Sequence, residues 1–234
     1  MRYIRSIVFD LFLIIWTLVF GIIFSPTLFM PKKYIFLATK VYAYIVLLGL
    51  KIICKINHEI KLESKLPKTP FIIASKHSSA WETIFFIYYF KNPNFILKKE
   101  LLFIPVFGQY LWRMGMIAIN RSKATKSSIQ ILKESKKAIK KKFNIVIFPQ
   151  GTRVNKDCQK PYKSGIYSLA KENKVEVVPI ALNSGDFWPK DKFTKSPGTI
   201  KVIIGNAFNT DNQSKKEFMQ NITQWIENNC KKIH

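Results

Sequence analysis

Acidic residues are scarce in this chain: 14 Asp and Glu stand against 38 Lys and Arg, a formal charge of +24 over 234 residues. No acidic cluster is available to hold a metal ion, and so large a cationic excess calls for an anionic partner or surface, either nucleic acid or anionic lipid. Cysteine is scarcer still. Cys54, Cys158 and Cys230 are scattered, odd in number and without Cys-x-x-Cys spacing, which argues against a zinc site and for a reducing compartment. No Gly-x-Ser-x-Gly elbow frames a serine nucleophile, so Ser78 and Ser79 are poor candidates for covalent catalysis. The chain also lacks internal repeats, low-complexity linkers and any recognised nucleic-acid-binding motif, and nucleic acid is not expected as a partner.

What the chain does have begins at its N-terminus. Leu11 to Met30 is a run of twenty residues without a charge, about 30 Å as a helix and about one hydrocarbon thickness. Asp10 at its edge, at roughly 2.5 to 3.5 kcal/mol on insertion scales, and Pro26 near its end weaken a full crossing. A second apolar stretch, Tyr34 to Leu50, is broken by Lys40, and its clean part is too short to span alone. Arg2 and Arg5 before the first segment and Lys32 and Lys33 after it give no clear orientation. A helical hairpin dipping into one leaflet fits these features better than two crossings. The competing reading is a buried hairpin within a soluble core. A signal peptide is not expected, since the run is long and Ser25-Pro26-Thr27 is no small-x-small site.

Downstream, the pattern alternates. Short apolar runs at Phe71–Ser75, Phe95–Lys98, Met116–Ile119, Ile145–Phe148, Val175–Leu182 and Thr199–Ile204 predict buried strands. Helical spacing is expected over Thr125–Lys142 and Glu217–Asn229, the latter opened by a capping box, Ser214 to Glu217. The fold class is therefore α/β, a mixed, mostly parallel sheet flanked by helices. Two units are expected, a membrane-anchoring hairpin over residues 1–56 and a catalytic domain over 57–234. Lys136, Lys137 and Lys140 to Lys142 form the densest charge cluster, either a solvated helix face or a contact for anionic headgroups.

Of three histidines, only His77 has a chemical setting. In Lys76-His77-Ser78-Ser79-Ala80-Trp81-Glu82 it lies five positions before a carboxylate, where a strand gives way to a helix. A general base and the acid that fixes its tautomer could meet there. The same residues also fit a helix capping box from Ser79 to Glu82. Five residues of ideal helix would turn the two side chains about 140° apart, so only a loop-to-helix transition brings them together.

Three later segments follow: Gly115-Met116-Ile117-Ala118-Ile119-Asn120-Arg121, Phe148-Pro149-Gln150-Gly151-Thr152-Arg153, and Val178-Pro179-Ile180-Ala181-Leu182-Asn183-Ser184-Gly185. In this order, with the His77 segment, they resemble the four motifs of the glycerolipid acyltransferase family, specifically the 1-acyl-glycerol-3-phosphate acyltransferases, over roughly residues 70 to 186. The resemblance implies an enzyme that acylates lysophosphatidic acid from acyl-CoA or acyl carrier protein, with no cofactor or metal. It also implies a bacterial inner-membrane location, with the catalytic domain on the cytoplasmic side and anionic phospholipids as neighbours. His77 and Glu82 become the catalytic pair. Lys98, Arg121, Gln150, Gly151, Thr152 and Arg153 become the substrate-binding set, the two arginines suited to a phosphate.

Two positions depart from the family pattern, which usually has aspartate at Glu82 and glutamate at Gln150. Gln150 can position by hydrogen bonds but brings no charge. That keeps another lysolipid acceptor open, such as a lyso-ornithine lipid, and a non-enzymatic basic lipid-binding protein is the alternative from a different class.

Overall fold

The computed structural model describes residues 1–120, 124–155 and 160–233; Arg121, Cys158 and His234 lie outside the described residues. Helix α1 (Arg2–Ile23) and helix α2 (Lys32–Gly49) form the hairpin, joined by a 3₁₀ turn over Ser25–Leu28, and α2 runs on through a π turn, Leu50–Cys54. Both helices are long and apolar enough to cross a membrane by length and composition. Strands and helices then alternate as β1 (Ile56–Leu62), β2 (Ile72–Ser75), α3 (Trp81–Tyr89), β3 (Pro93–Lys98), α4 (Phe107–Met114), β4 (Ile117–Ile119), α5 (Ala124–Lys140) and β5 (Asn144–Ile147). The chain ends with α6 (Gly165–Asn173), β6 (Val177–Leu182), α7 (Ser184–Phe187), β7 (Gly198–Ile204) and α8 (Lys215–Ile233).

Among the described residues the strands form one seven-stranded sheet in the order β1-β7-β6-β2-β5-β3-β4. Only the β6–β7 pair is antiparallel. Centrally, β2 and β6 are buried at every position, as strands covered on both faces must be, so they are written as continuous apolar runs. The edges differ. β1 is mostly exposed and carries Glu59 and Lys61, charges that discourage further pairing. The sequence reading had only a charged run, Asn57-His58-Glu59, at this place. The opposite edge, β4, has three residues.

The capping box at α8 forms as expected: Ser214 N donates to Glu217 Oε2 at 2.9 Å and Glu217 N donates to Ser214 Oγ at 3.2 Å. From that start α8 lays Phe218, Ile222, Ile226 and Cys230 against the sheet. Cys230 and Cys54 are buried free thiols, and burial pushes the Cys230 thiol up to about 11.

The hairpin is both an apolar surface and a piece of the core. Phe9, Ile35, Val46 and Leu50 are fully buried in one cluster with β2, β5 and β6. The opposite face of α1 exposes Ile4, Ile7, Leu11, Ile14, Leu18 and Ile22, a stripe at helical spacing. Ser6 and Asp10 point inward instead. Ser6 accepts a bond from Lys195 N at 2.9 Å, and Asp10 pairs with the buried Lys195 ammonium at 2.7 Å. That ammonium also lies over the Phe9 and Trp188 rings. Asp10, which counted against membrane burial in the sequence, is thus neutralised by the α/β body.

Candidate active site

Parallel strands β2, β5, β3 and β4 end at one edge of the sheet, and the loops beyond those ends are where α/β sheets bind ligands. β2 delivers Lys76 and His77 there. Because successive residues of an extended chain face opposite ways, the two side chains part company. Lys76 turns to α8, where its buried ammonium meets Glu227 at 2.9 Å and Tyr162 donates to the same carboxylate at 2.8 Å. Burial and the Glu227 charge push the Tyr162 hydroxyl well above its ordinary range.

His77 turns the other way and stacks on Phe148, the rings 3.8 Å apart and 14° from parallel. Its Nδ1 lies 3.2 Å from Glu82 Oε2. An ionised carboxylate only accepts, so this contact assigns the ring proton to Nδ1 and leaves Nε2 with its lone pair.

Glu82 itself is held from several sides. Fully buried in the first turn of α3, it accepts from Ser78 N at 3.2 Å, from Ser79 N at 2.9 Å and from the Ser184 hydroxyl. Ser79 Oγ in turn accepts from Trp81 N at 3.1 Å. Of the expected capping box only the half in which Glu82 reaches back to the Ser79 amide forms, since Ala80 is the N-cap and Ser79 Oγ meets Trp81 N, and the same Glu82 carboxylate contacts the histidine. Ser184 was not foreseen as a site residue, although it lies in the fourth quoted segment.

The backbone of His77 is clamped as tightly as its ring. Its N–H donates to Gln150 Oε1 at 3.0 Å and its carbonyl accepts from Val154 N at 2.7 Å. Gln150 is fully buried, and its Nε2 has no partner among the described residues. These contacts make Gln150 a support for the His77 backbone. Gln150→Leu should leave the His77 amide unpaired at a cost of about 1–3 kcal/mol, lowering kcat and melting temperature while the acceptor KM holds. Gln150→Glu retains the accepting oxygen and should keep activity. A selective rise in acceptor KM for the leucine variant would return Gln150 to the substrate-binding set.

Gly151, Thr152 and Arg153 lie between the two clamp residues Gln150 and Val154. Gly151 has φ +73°, a left-handed conformation that favours glycine, and its N–H closes a turn on Phe148 O at 2.9 Å. Thr152 is half-buried, and Arg153 is exposed one residue before the Val154 contact to His77. Lys98 is exposed at the C-terminal end of β3. Arg121 is not among the described residues, so its expected phosphate contact stays an expectation. Lys163 joins the cationic set: a Cβ on Gly151 would come within 3.2 Å of its ammonium. Nothing in the sequence separates Lys163 from the chain's other lysines. His58, by contrast, packs against Trp81 and Phe85 at 5.8 and 5.5 Å, and burial lowers its pKa. It stays neutral at pH 7 and far from the clamp in role.

A buried carboxylate orienting a histidine whose other nitrogen has no hydrogen-bond partner among the described residues, at a cationic sheet edge, suits deprotonation of a hydroxyl beside an anionic group. Known proteins agree with that chemistry. Residues 55–183 match the family model described as Acyltransferase. The chain is 32% identical over 236 residues to a 1-acyl-sn-glycerol-3-phosphate acyltransferase of Pseudomonas aeruginosa, covering 98% of this chain and 91% of that protein. It is 30% identical over 166 residues to 1-acyl-sn-glycerol-3-phosphate acyltransferase alpha of Mus musculus, covering 68% of this chain and 58% of that one. In fold it is similar to the crystal structure of the 1-acyl-sn-glycerophosphate (LPA) acyltransferase PlsC from Thermotoga maritima, with TM-score 0.81, 19% identity, and coverage of 99% and 97% of the two chains. With its family match spanning more than half its length and the His77–Glu82 pair inside it, this chain belongs to the acyltransferase family.

Proposed function

We propose that the protein transfers a fatty acyl group from acyl-CoA or acyl carrier protein to the sn-2 hydroxyl of 1-acyl-glycerol-3-phosphate, giving phosphatidic acid for phospholipid synthesis. The observation that carries this reading is the Nδ1–Glu82 contact, which leaves Nε2 as the base. Nε2 takes the hydroxyl proton as the acceptor oxygen attacks the thioester carbonyl, and Glu82 stabilises the imidazolium formed. Collapse of the tetrahedral intermediate breaks the carbon–sulfur bond, and the departing thiolate recovers the proton from His77. No resident cofactor or metal enters this scheme. Gln150, spent on the His77 amide, gives no support to an uncharged acceptor headgroup.

The acceptor phosphate is assigned to Arg153 together with Lys98 and Arg121, with Gly151 and Thr152 in the turn that precedes Arg153. Arg153→Ala should raise the KM for lysophosphatidic acid at least roughly tenfold, about 1.4 kcal/mol for a lost charge-assisted pair, with the donor KM nearly fixed. Lysine should rescue only in part, because it restores charge without the fork. If only the donor KM rises, the arginines hold the carrier's phosphates instead. A radiolabelled acyl-transfer assay over several lysolipids and both donor types tests the reaction itself. Inactivity of folded protein across that panel would leave a basic lipid-binding protein.

The apolar N-terminal helices associate the protein with a membrane, and we assign the catalytic body to the cytoplasmic face of a bacterial inner membrane, among anionic lipids. The hairpin sits in one leaflet in this reading. α1 is about 33 Å long, yet it is bolted to the catalytic body along its length, by Ser6 and Asp10 to Lys195 in its first half and by Phe20 to Tyr110 near its C-terminal end, ring centroids 4.8 Å apart. A helix so held lies along the body rather than standing away from it across a bilayer.

A further inference from the structure

The catalytic body carries an apolar ridge of its own. A 3₁₀ turn, Lys99–Phe103, follows directly on β3, and α4 follows it. Phe103 is 75% exposed and Trp112 71%, with Ile104 and Phe107 exposed between them. Side chains of this kind on a monomer's surface mark a contact with something apolar.

The ridge is fixed to the hairpin rather than hanging from it. Val106 holds φ 65°, ψ −63°, the conformation of a γ-turn, and Phe107 N donates to Pro105 O at 2.7 Å across it. Such a backbone is costly for a β-branched residue and persists only where surroundings enforce it. Here the enforcing neighbour is α1. A Cβ on Gly21 would fall 2.6 Å from Val106 Cγ1, so the valine fills the notch that the glycine leaves. Arg113 then staples the hairpin turn: its Nε donates to Leu28 O at 2.6 Å and its Nη2 to Met30 O. Lys32 returns the contact, its Nζ reaching Met114 O at 3.4 Å. Beside these staples the hairpin turn exposes Phe29, at 89%, with Ile22 and Ile23 before it. Exposed lysines rim both sides, Lys98 and Lys99 on the ridge and Lys33 on the hairpin.

We infer that residues 103–112 are a second membrane-inserting element, entering the same leaflet beside the hairpin turn, so that the bilayer is gripped by the catalytic body and not by the hairpin alone. This rests on the hairpin being membrane-bound. Continuity with the apolar face of α1 names the occupant as lipid, and the lysine rim suits anionic headgroups at the depth where tryptophan is favoured. Lys98 is five residues before Phe103. Insertion therefore holds a phosphate-binding cation at headgroup level, and a lysolipid can meet the site without leaving the bilayer.

The test uses full-length protein bound to phosphatidylethanolamine/phosphatidylglycerol vesicles, in a Cys158→Ser background where Cys54 and Cys230 are buried. A nitroxide is placed on Phe103→Cys, Trp112→Cys or Ile14→Cys, and its collisions with oxygen and with an aqueous nickel chelate are compared. All three labels should favour oxygen, as in hydrocarbon. A lipid-exposed label at 14 with water-exposed labels at 103 and 112 overturns the ridge and leaves the hairpin reading standing. A water-exposed label at 14 overturns both. Labels at 103 and 112 shielded from both reagents assign the ridge to a protein contact and also overturn the proposal. As an independent check, Phe103→Ser combined with Trp112→Ser should slow transfer to a long-chain acceptor in vesicles at least about tenfold. Transfer to a monomeric short-chain acceptor should hold, and equal loss on both would count against the ridge.

Discussion

Replacing His77 with alanine is expected to cut turnover by about 10² to 10⁴, the usual contribution of a general base, with little change in donor affinity. The geometry explains why no neighbour substitutes. Ser78 and Ser79 spend their N–H groups on Glu82, and His58 is packed among aromatic rings as a neutral side chain. Glu82→Gln should lower turnover less than loss of the base. Its amide cannot accept from His77 and both serine amides at once, so the ring loses its fixed tautomer but stays stacked on Phe148. Near-normal turnover in folded His77→Ala would falsify the mechanism.

Removing residues 1–54 is expected to abolish cooperative folding, not merely to release a soluble enzyme from the membrane. Phe9, Ile35, Val46 and Leu50 are each fully buried in the shared core. At about 1.5–3 kcal/mol each, their loss amounts to about 6–12 kcal/mol, comparable to the roughly 5–15 kcal/mol by which a whole domain is stable. The truncation would also strand Lys195, whose buried ammonium loses Asp10. Limited proteolysis and thermal unfolding in detergent provide the measurement. A protease-resistant truncated protein with a sharp melting transition would make the hairpin a detachable anchor. High salt, by contrast, should leave the intact protein on the membrane, because apolar contact is not screened.

These contacts also explain which features were legible in the sequence. β2 and β6 are buried on both faces, so their composition alone declares them. Among the described residues β1 is an edge strand paired only with β7, and its charged residues conceal it. The hairpin showed its hydrophobicity but not its division of labour, because a stripe facing lipid and a stripe facing the core are written in the same residues. At the site, the His77–Glu82 pair could be read because both partners lie in one short segment. Ser184 is 102 positions from the carboxylate it touches. Gln150 binds a backbone amide, a partner that leaves no trace in residue identity, so the sequence displays its missing charge and not its position.

The Lys76–Glu227 pair has a consequence of a different kind. The family match ends at residue 183, whereas this buried contact ties residue 227 to the residue next to the base. Glu227 is the only acidic group bonded to the Lys76 ammonium among the described residues, and a buried cation left without its partner relaxes toward water. With His77 as the proposed base, the unit that holds it therefore extends through α8, beyond the family match. Whatever pries the final helix loose, whether a fused tag, a protease or a binding protein, pulls on the base through a single peptide bond and can silence the enzyme without competing for either substrate.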